Sequence, residues 1–194
     1  MEQWSIVWCG TRMEPSTALI EESRPIVLIL ACGNPSRGDD ALGPLFLDRL
    51  AELQEQRGGH WQDVELLTDF QLQIEHAVDL EKRALALFVD ASVSGPAPYH
   101  FTRLQPMRDS SYTSHALSPA AVLHVYQQIH HAPPPPAFQL AIRGESFELG
   151  QPLSAAAEAH LAAALTFAER LLARCEVGVW DEFAAINAAD GRLP

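Results

Sequence analysis

The stretch P-I-V-L-I-L-A-C-G-N-P-S-R-G-D-D-A-L-G, residues 25–43, decides the fold. It begins as a short apolar, β-branched run (Ile26, Val27, Leu28, Ile29, Leu30), which reads as a buried strand. Gly33, Asn34, Pro35 and Gly38 then break the run, a turn-forming cluster in which the glycines can take positive φ. Two adjacent carboxylates follow, Asp39 and Asp40, and Leu42, Leu45, Phe46 and Leu50 recur at helical spacing. Acids at the start of a helix cap free N–H groups and complement its dipole. The same pair beside a tight glycine loop, at the carboxyl end of a strand, also describes a cation site in an open α/β sheet. Both readings stand at this point.

Outward from this stretch, strands and helices alternate. Residues 41–56 carry a helical pattern that Gly58 and Gly59 stop. Residues 64–67 form a short strand ending in Thr68 and Asp69, and residues 72–82 read as a helix with Leu72, Ile74, Ala77, Val78 and Leu80 as its apolar set. Another buried run, residues 84–89, closes on Asp90, and residues 99–104 alternate like a strand. Ser118 and Pro119 supply an N-cap and a first-turn proline for a helix to about residue 129. Four consecutive prolines, Pro133 to Pro136, act as a rigid spacer before a strand over residues 138–142. The longest helix spans residues 154–174. The pattern predicts a three-layer α/β/α sandwich with a mostly parallel central sheet and ligands at its carboxyl edge. Residues 1–24 are expected to be a flexible N-terminal extension, residues 25–175 the domain, and residues 176–194 a loosely held tail without clear period.

Bulk properties narrow the function. At 194 residues, with 47% apolar and 20% charged, the chain has the size and composition of one globular domain. Its formal charge is -12, and Lys82 is the single lysine among thirteen basic residues, which argues against nucleic acid and anionic membranes as partners. Three cysteines, Cys9, Cys32 and Cys175, lack metal-ligand spacing and suit a reducing cytoplasm better than a disulfide framework. The first residues lack the basic start and long apolar core of a signal peptide, and no run is long enough to span a bilayer. A soluble, cytoplasmic monomer is expected.

Three side chains stand out for chemistry on such a frame. Asp40 opens the helix after the first strand, Asp90 ends the strand A-L-A-L-F-V, and His115 lies in a polar loop. Ends of neighbouring parallel strands converge on one edge, so two carboxylates and an imidazole there would make a set for Mn, Fe, Ni or Zn. Each has a plainer reading: Asp90 as an Asx turn former, His115 as a solvated loop residue. Asp69 fits a supporting group or a loop residue, and Asn34 and Asp69 are candidate substrate contacts. Cys32 reads as a small buried side chain at the strand end. Glu75-His76 lacks the spacing of a zinc-protease helix, and the loop lacks the signatures of a P-loop, a dinucleotide site or a nucleophile elbow.

Three segments together, G-N-P-S-R-G-D-D-A-L-G (residues 33–43), V-D-A (residues 89–91) and S-H-A-L-S-P (residues 114–119), resemble the [NiFe]-hydrogenase maturation endopeptidases. The resemblance runs from about residue 26 to 172, and T-D-F-Q-L-Q-I-E-H-A-V-D-L (residues 68–80) is similar to the branch serving soluble, NAD-coupled hydrogenases. It implies an α/β/α protein that removes a C-terminal peptide from the hydrogenase large-subunit precursor after nickel insertion. It implies that Asp40, Asp90 and His115 contact the metal, a divalent ion carried by the substrate, and that Asp69 is another acid of the cleft. Two departures from the family pattern are Asp40, where several relatives have Glu, and residues 70–73 (F-Q-L-Q), where many have a glycine-threonine-rich turn. A nickel-handling binding protein without peptidase activity is the alternative.

Overall fold

A computed structural model describes residues 27–57, 61, 63–108 and 117–190. The extension expected before residue 25, the Gly58-Gly59 helix stop and His115 lie outside these described residues. The elements run β1 (Val27–Cys32), a 3-10 turn (Gly38–Ala41), α1 (Leu42–Arg57), β2 (Val64–Asp69), α2 (His76–Asp79), β3 (Leu85–Ser92), β4 (Tyr99–Arg103), α3 (Pro119–His130), β5 (Ala137–Arg143), α4 (Ala155–Leu172) and α5 (Val177–Asp190).

The five strands form one sheet in the order β2-β1-β3-β5-β4. The first four positions are mutually parallel, and β4 joins the edge antiparallel to β5. Helices cover both faces, giving the α/β/α sandwich that the alternating pattern predicts. Every residue of β1 is buried, as expected of a central strand with no wet face. Its odd-numbered positions, Val27, Ile29 and Ala31, join Leu85, Leu87 and Val89 of β3 in the core beneath α1, α4 and α5. The even-numbered Leu28, Leu30 and Cys32 join Ala86 and Phe88 in the core beneath α2 and α3. No helix among the described residues is long and apolar enough to cross a membrane.

Two elements differ from the sequence reading. The helix expected over residues 72–82 is reduced to the single turn α2. Leu72, Ala77 and Leu80 are buried, but Ile74 and Val78 are exposed, so the apolar set does not lie on one face; Lys82 then takes a left-handed φ of 62° and ends the segment. The tail expected to be loose is instead the helix α5, packed on the edge strand β4. Trp180 is fully buried there, with ring contacts to Phe101 and Phe138 of β4 and β5. Phe183, edge-on to Phe167, joins it in anchoring the helix, while exposed apolar residues such as Ile186 blur the stripe that would announce it.

The two adjacent aspartates separate completely. Asp39 is fully buried, and its carboxylate accepts from the N–H groups of Glu145 (2.6 Å), Ser146 (2.9 Å) and Ser154 (2.7 Å) and from the Ser154 hydroxyl (2.8 Å). Burial alone would raise its pKa, but these hydrogen bonds outweigh it and hold the carboxyl below its ordinary value. Asp39 therefore ties the loop after β1 to the connection between β5 and α4. Ser154 also caps α4 by accepting from the Ala157 N–H.

Candidate active site at the carboxyl edge of the sheet

Strand order reverses between β1 and β3: the chain steps from β1 outward to β2, then returns to build on the other side. In an open parallel sheet a crevice opens beyond the carboxyl ends of the strands at such a point. Asp40 lies in the turn after β1 and Asp90 near the carboxyl end of β3, the two strands that flank it.

The loop that carries Asp40 is held at several points. Gly33, at φ 147°, lies so close to the next turn that a Cβ there would sit 2.0 Å from the Asp40 carbonyl oxygen. Gly43 lets α1 start directly against β1, where a Cβ would meet the Cys32 carbonyl at 2.1 Å. These two glycines bring the helix start down onto the strand end. The Asp40 Oδ2 accepts from the Asn34 backbone N–H at 3.2 Å, so the side chain points back over the loop and not into its own helix. Asn34 spends its side-chain carbonyl on the Ser36 N–H, an Asx turn, and so shapes the loop. The Arg37 Nε donates to the Phe147 carbonyl.

Asp90 Oδ1 accepts from the Ala91 N–H at 2.7 Å. Desolvation raises its pKa to about 6, the Ala91 hydrogen bond opposes this, and the nearby Asp40 carboxylate adds to it. The Asp40 charge thus reaches Asp90 at the carboxyl edge of the sheet, which the sequence alone could only suppose. The register extends the neighbourhood. Ala31 pairs with Val89, so Cys32 and Asp90 each lie one residue further along adjacent strands, and Cys32 pairs with Asp69 on the other side. By strand alternation Cys32, Asp69 and Asp90 all face the α2–α3 side. The Cys32 thiol is pushed up to about 12, by burial first and then by the charges of Asp90 and Asp69. A thiol so poised stays protonated and inert, which removes Cys32 as a nucleophile.

The structure also brings in a residue that the motifs did not reveal. His76 is 6% exposed, and its Nε2 lies 3.5 Å from the Asp69 Oδ2. Its Nδ1 accepts from the Gln73 N–H at 2.9 Å. The other Asp69 oxygen, Oδ1, accepts from the Phe70 N–H at 2.6 Å. Nothing in the spacing of Asp69 and His76 marks the pair, because a loop and not a regular helix returns the chain between them.

Of the expected site residues, Asp40, Asp90 and Asp69 gather at one edge of the sheet, with Asn34 in the loop beside them. Among the described residues no three His, Cys, Asp or Glu side chains form a group able to hold a metal ion. The carboxylates supply part of a shell of hard oxygen donors; the imidazole that would add nitrogen, His115, is outside the described residues.

No protein-family model matches the chain, and no curated protein matches it in sequence. Solved structures do. The [NiFe] hydrogenase maturation protease HycI from Thermococcus kodakarensis KOD1 superposes with a TM-score of 0.60 at 21% identity, over 79% of this chain and 96% of that one. The hydrogenase maturating endopeptidase HybD from E. coli gives a TM-score of 0.56 at 23% identity, over 75% and 91%. An endopeptidase from Escherichia coli gives 0.56 at 25% identity, over 73% and 88%. Almost the whole of each of these proteins is matched, and the chain has the fold of the [NiFe]-hydrogenase maturation proteases.

Proposed function

We propose that the protein is an endopeptidase of [NiFe]-hydrogenase maturation, which removes the C-terminal extension of a large-subunit precursor after nickel has been inserted. The observation that carries this reading is the placement of Asp40 and Asp90 after β1 and near the end of β3, the strands flanking the switch point of a fold shared with proteases of that name. The order of the motifs supports it, since the loop, the strand-end aspartate and the His115 loop follow one another as in the family.

In this reading nickel is part of the substrate. Asp40, Asp90 and His115 recognise an ion still held by the precursor, whose own ligands complete its shell. A nickel-free precursor offers nothing for the two carboxylates to bind and is left uncut, so differential binding acts as the checkpoint. Hydrolysis further needs a water relieved of a proton and a carbonyl drawn of electrons. One of the two carboxylates, Asp40 or Asp90, takes that proton as general base. Burial holds the Cys32 thiol protonated, so Cys32 does not serve as the nucleophile. The enzyme acts in the cytoplasm, as a monomer, on a folded protein partner.

The test is incubation of the purified protein with nickel-loaded and nickel-free precursor, followed by mass measurement of the product. Loss of a C-terminal peptide from the loaded form alone is expected. Cleavage of both forms alike would remove the checkpoint, and nickel-dependent association without cleavage would favour the binding-protein alternative.

A further inference from the structure

The structure assigns His76 as a positioning residue that fixes the Asp69 carboxylate at the wall of the cleft for contact with the precursor. This rests on the peptidase reading above. Three observations carry it. First, the imidazole is buried at the end of the sheet, yet its neighbours Ala77 and Leu80 fill the core with hydrocarbon. A polar ring kept there must satisfy its nitrogens locally. Second, one nitrogen is hydrogen-bonded and the other faces Asp69. Because Nδ1 accepts from the Gln73 N–H, the ring proton resides on Nε2, which faces the Asp69 Oδ2. The ring is buried and its Nε2–H is turned toward Asp69, so whatever it does in the reaction it does through Asp69.

Third, Asp69 is placed to be useful. Its side chain keeps 34% of its surface, against 7% for the imidazole, and it ends β2 beside Cys32, the residue that also feels Asp90. The Phe70 N–H holds one oxygen and the imidazole faces the other, so the carboxylate plane is set from two sides while its outer edge stays open. The 3.5 Å separation is longer than a good N–H···O bond, as catalytic contacts commonly are before substrate binds. An acceptor held this way is matched to N–H groups of an incoming peptide, a contact made equally in ground and transition states.

That last point sets the test. Removing a contact of this kind raises KM and leaves kcat unchanged. His76→Phe should raise KM for nickel-loaded precursor by about tenfold, with kcat within about twofold of the parent. His76→Gln places an amide N–H within the same reach and should restore KM to within about threefold. Parent-like KM in His76→Phe, or equal impairment in both variants, overturns the assignment. On the unsubstituted protein, imidazole ¹⁵N shifts should report the Nε2–H tautomer; the Nδ1–H tautomer overturns it even where a variant fails to fold. A parent protein that does not cut loaded precursor overturns the peptidase reading and this assignment with it, whereas parent cleavage with parent-like KM in His76→Phe overturns this assignment alone.

Discussion

Asp90→Asn is expected to abolish precursor cleavage and, in the same molecule, to stabilise the fold above neutral pH. The two effects have one origin. Folding moves the Asp90 carboxyl out of water and toward Asp40, and its pKa rises to about 6. The folded state therefore holds this proton more tightly than the unfolded chain, whose carboxyl titrates near about 4. Stability contributed by this group is full below the unfolded value and is lost as pH climbs through the folded one. Above that the ionised Asp90 is a standing cost. Asparagine keeps an oxygen for the Ala91 N–H and carries no charge. The variant should gain about 1–2 kcal/mol at about pH 8, a figure discounted for partial solvent access, and the gain should vanish near about pH 4. Activity should fall by about a hundredfold or more, the scale of a lost acid–base group. Urea unfolding at the two pH values and cleavage of loaded precursor check both halves; an active variant would take Asp90 out of the mechanism.

The second large effect lies far from the crevice. Trp180→Ala should cost about 3–5 kcal/mol, the range for deleting a fully buried large aromatic. Trp180 has no exposed surface, and its ring stands edge-on to Phe138 at 5.3 Å and to Phe101 at 6.3 Å. Its indole N–H donates to the carbonyls of Leu171 (3.0 Å) and Arg174 (3.2 Å), at the end of α4. Removing it opens a cavity between α5 and the sheet and also leaves those carbonyls to find other donors. Denaturant melts would show a midpoint shifted without a gain in activity. A loss below about 1 kcal/mol would mean that α5 is dispensable to the core.

How far the sequence could be read follows from these same residues. β1, the turn after it and α1 were legible because each carries its own local signal: a continuous apolar run, a cluster of glycine and proline, then a 3.6-residue period. The burial of β1 on both faces is what a central parallel strand requires, and its residues say so. α5 was not legible, since exposed apolar residues such as Ile186 and a run of alanines surround the set that packs, Val177, Trp180, Phe183 and Ala184, and blur any stripe. The helix expected around Ile74 and Val78 failed for the opposite reason: a helical period was present in the residue types, but tertiary packing left those two side chains in solvent.

The site divides in the same way. Asp40 and Asp90 could be named from their places at strand ends, because topology alone carries such positions to one edge. The structural role of Asp39 was hidden, since nothing local to the turn shows where its carboxylate goes. Only the long-range donors from Glu145, Ser146 and Ser154 make Asp39 structural and leave Asp40 to the cleft. His76 was hidden because its partner, Asp69, is reached through an irregular loop and answers to no motif.

A checkpoint on nickel requires that Asp40, Asp90 and His115 share one ion at the rim of the sheet. Anomalous diffraction from crystals soaked in Ni(II) tests this most directly. A nickel peak bounded by both carboxylates and the His115 imidazole is the predicted result. A peak held by other residues, with the His115 ring turned away from the two aspartates, would contradict it.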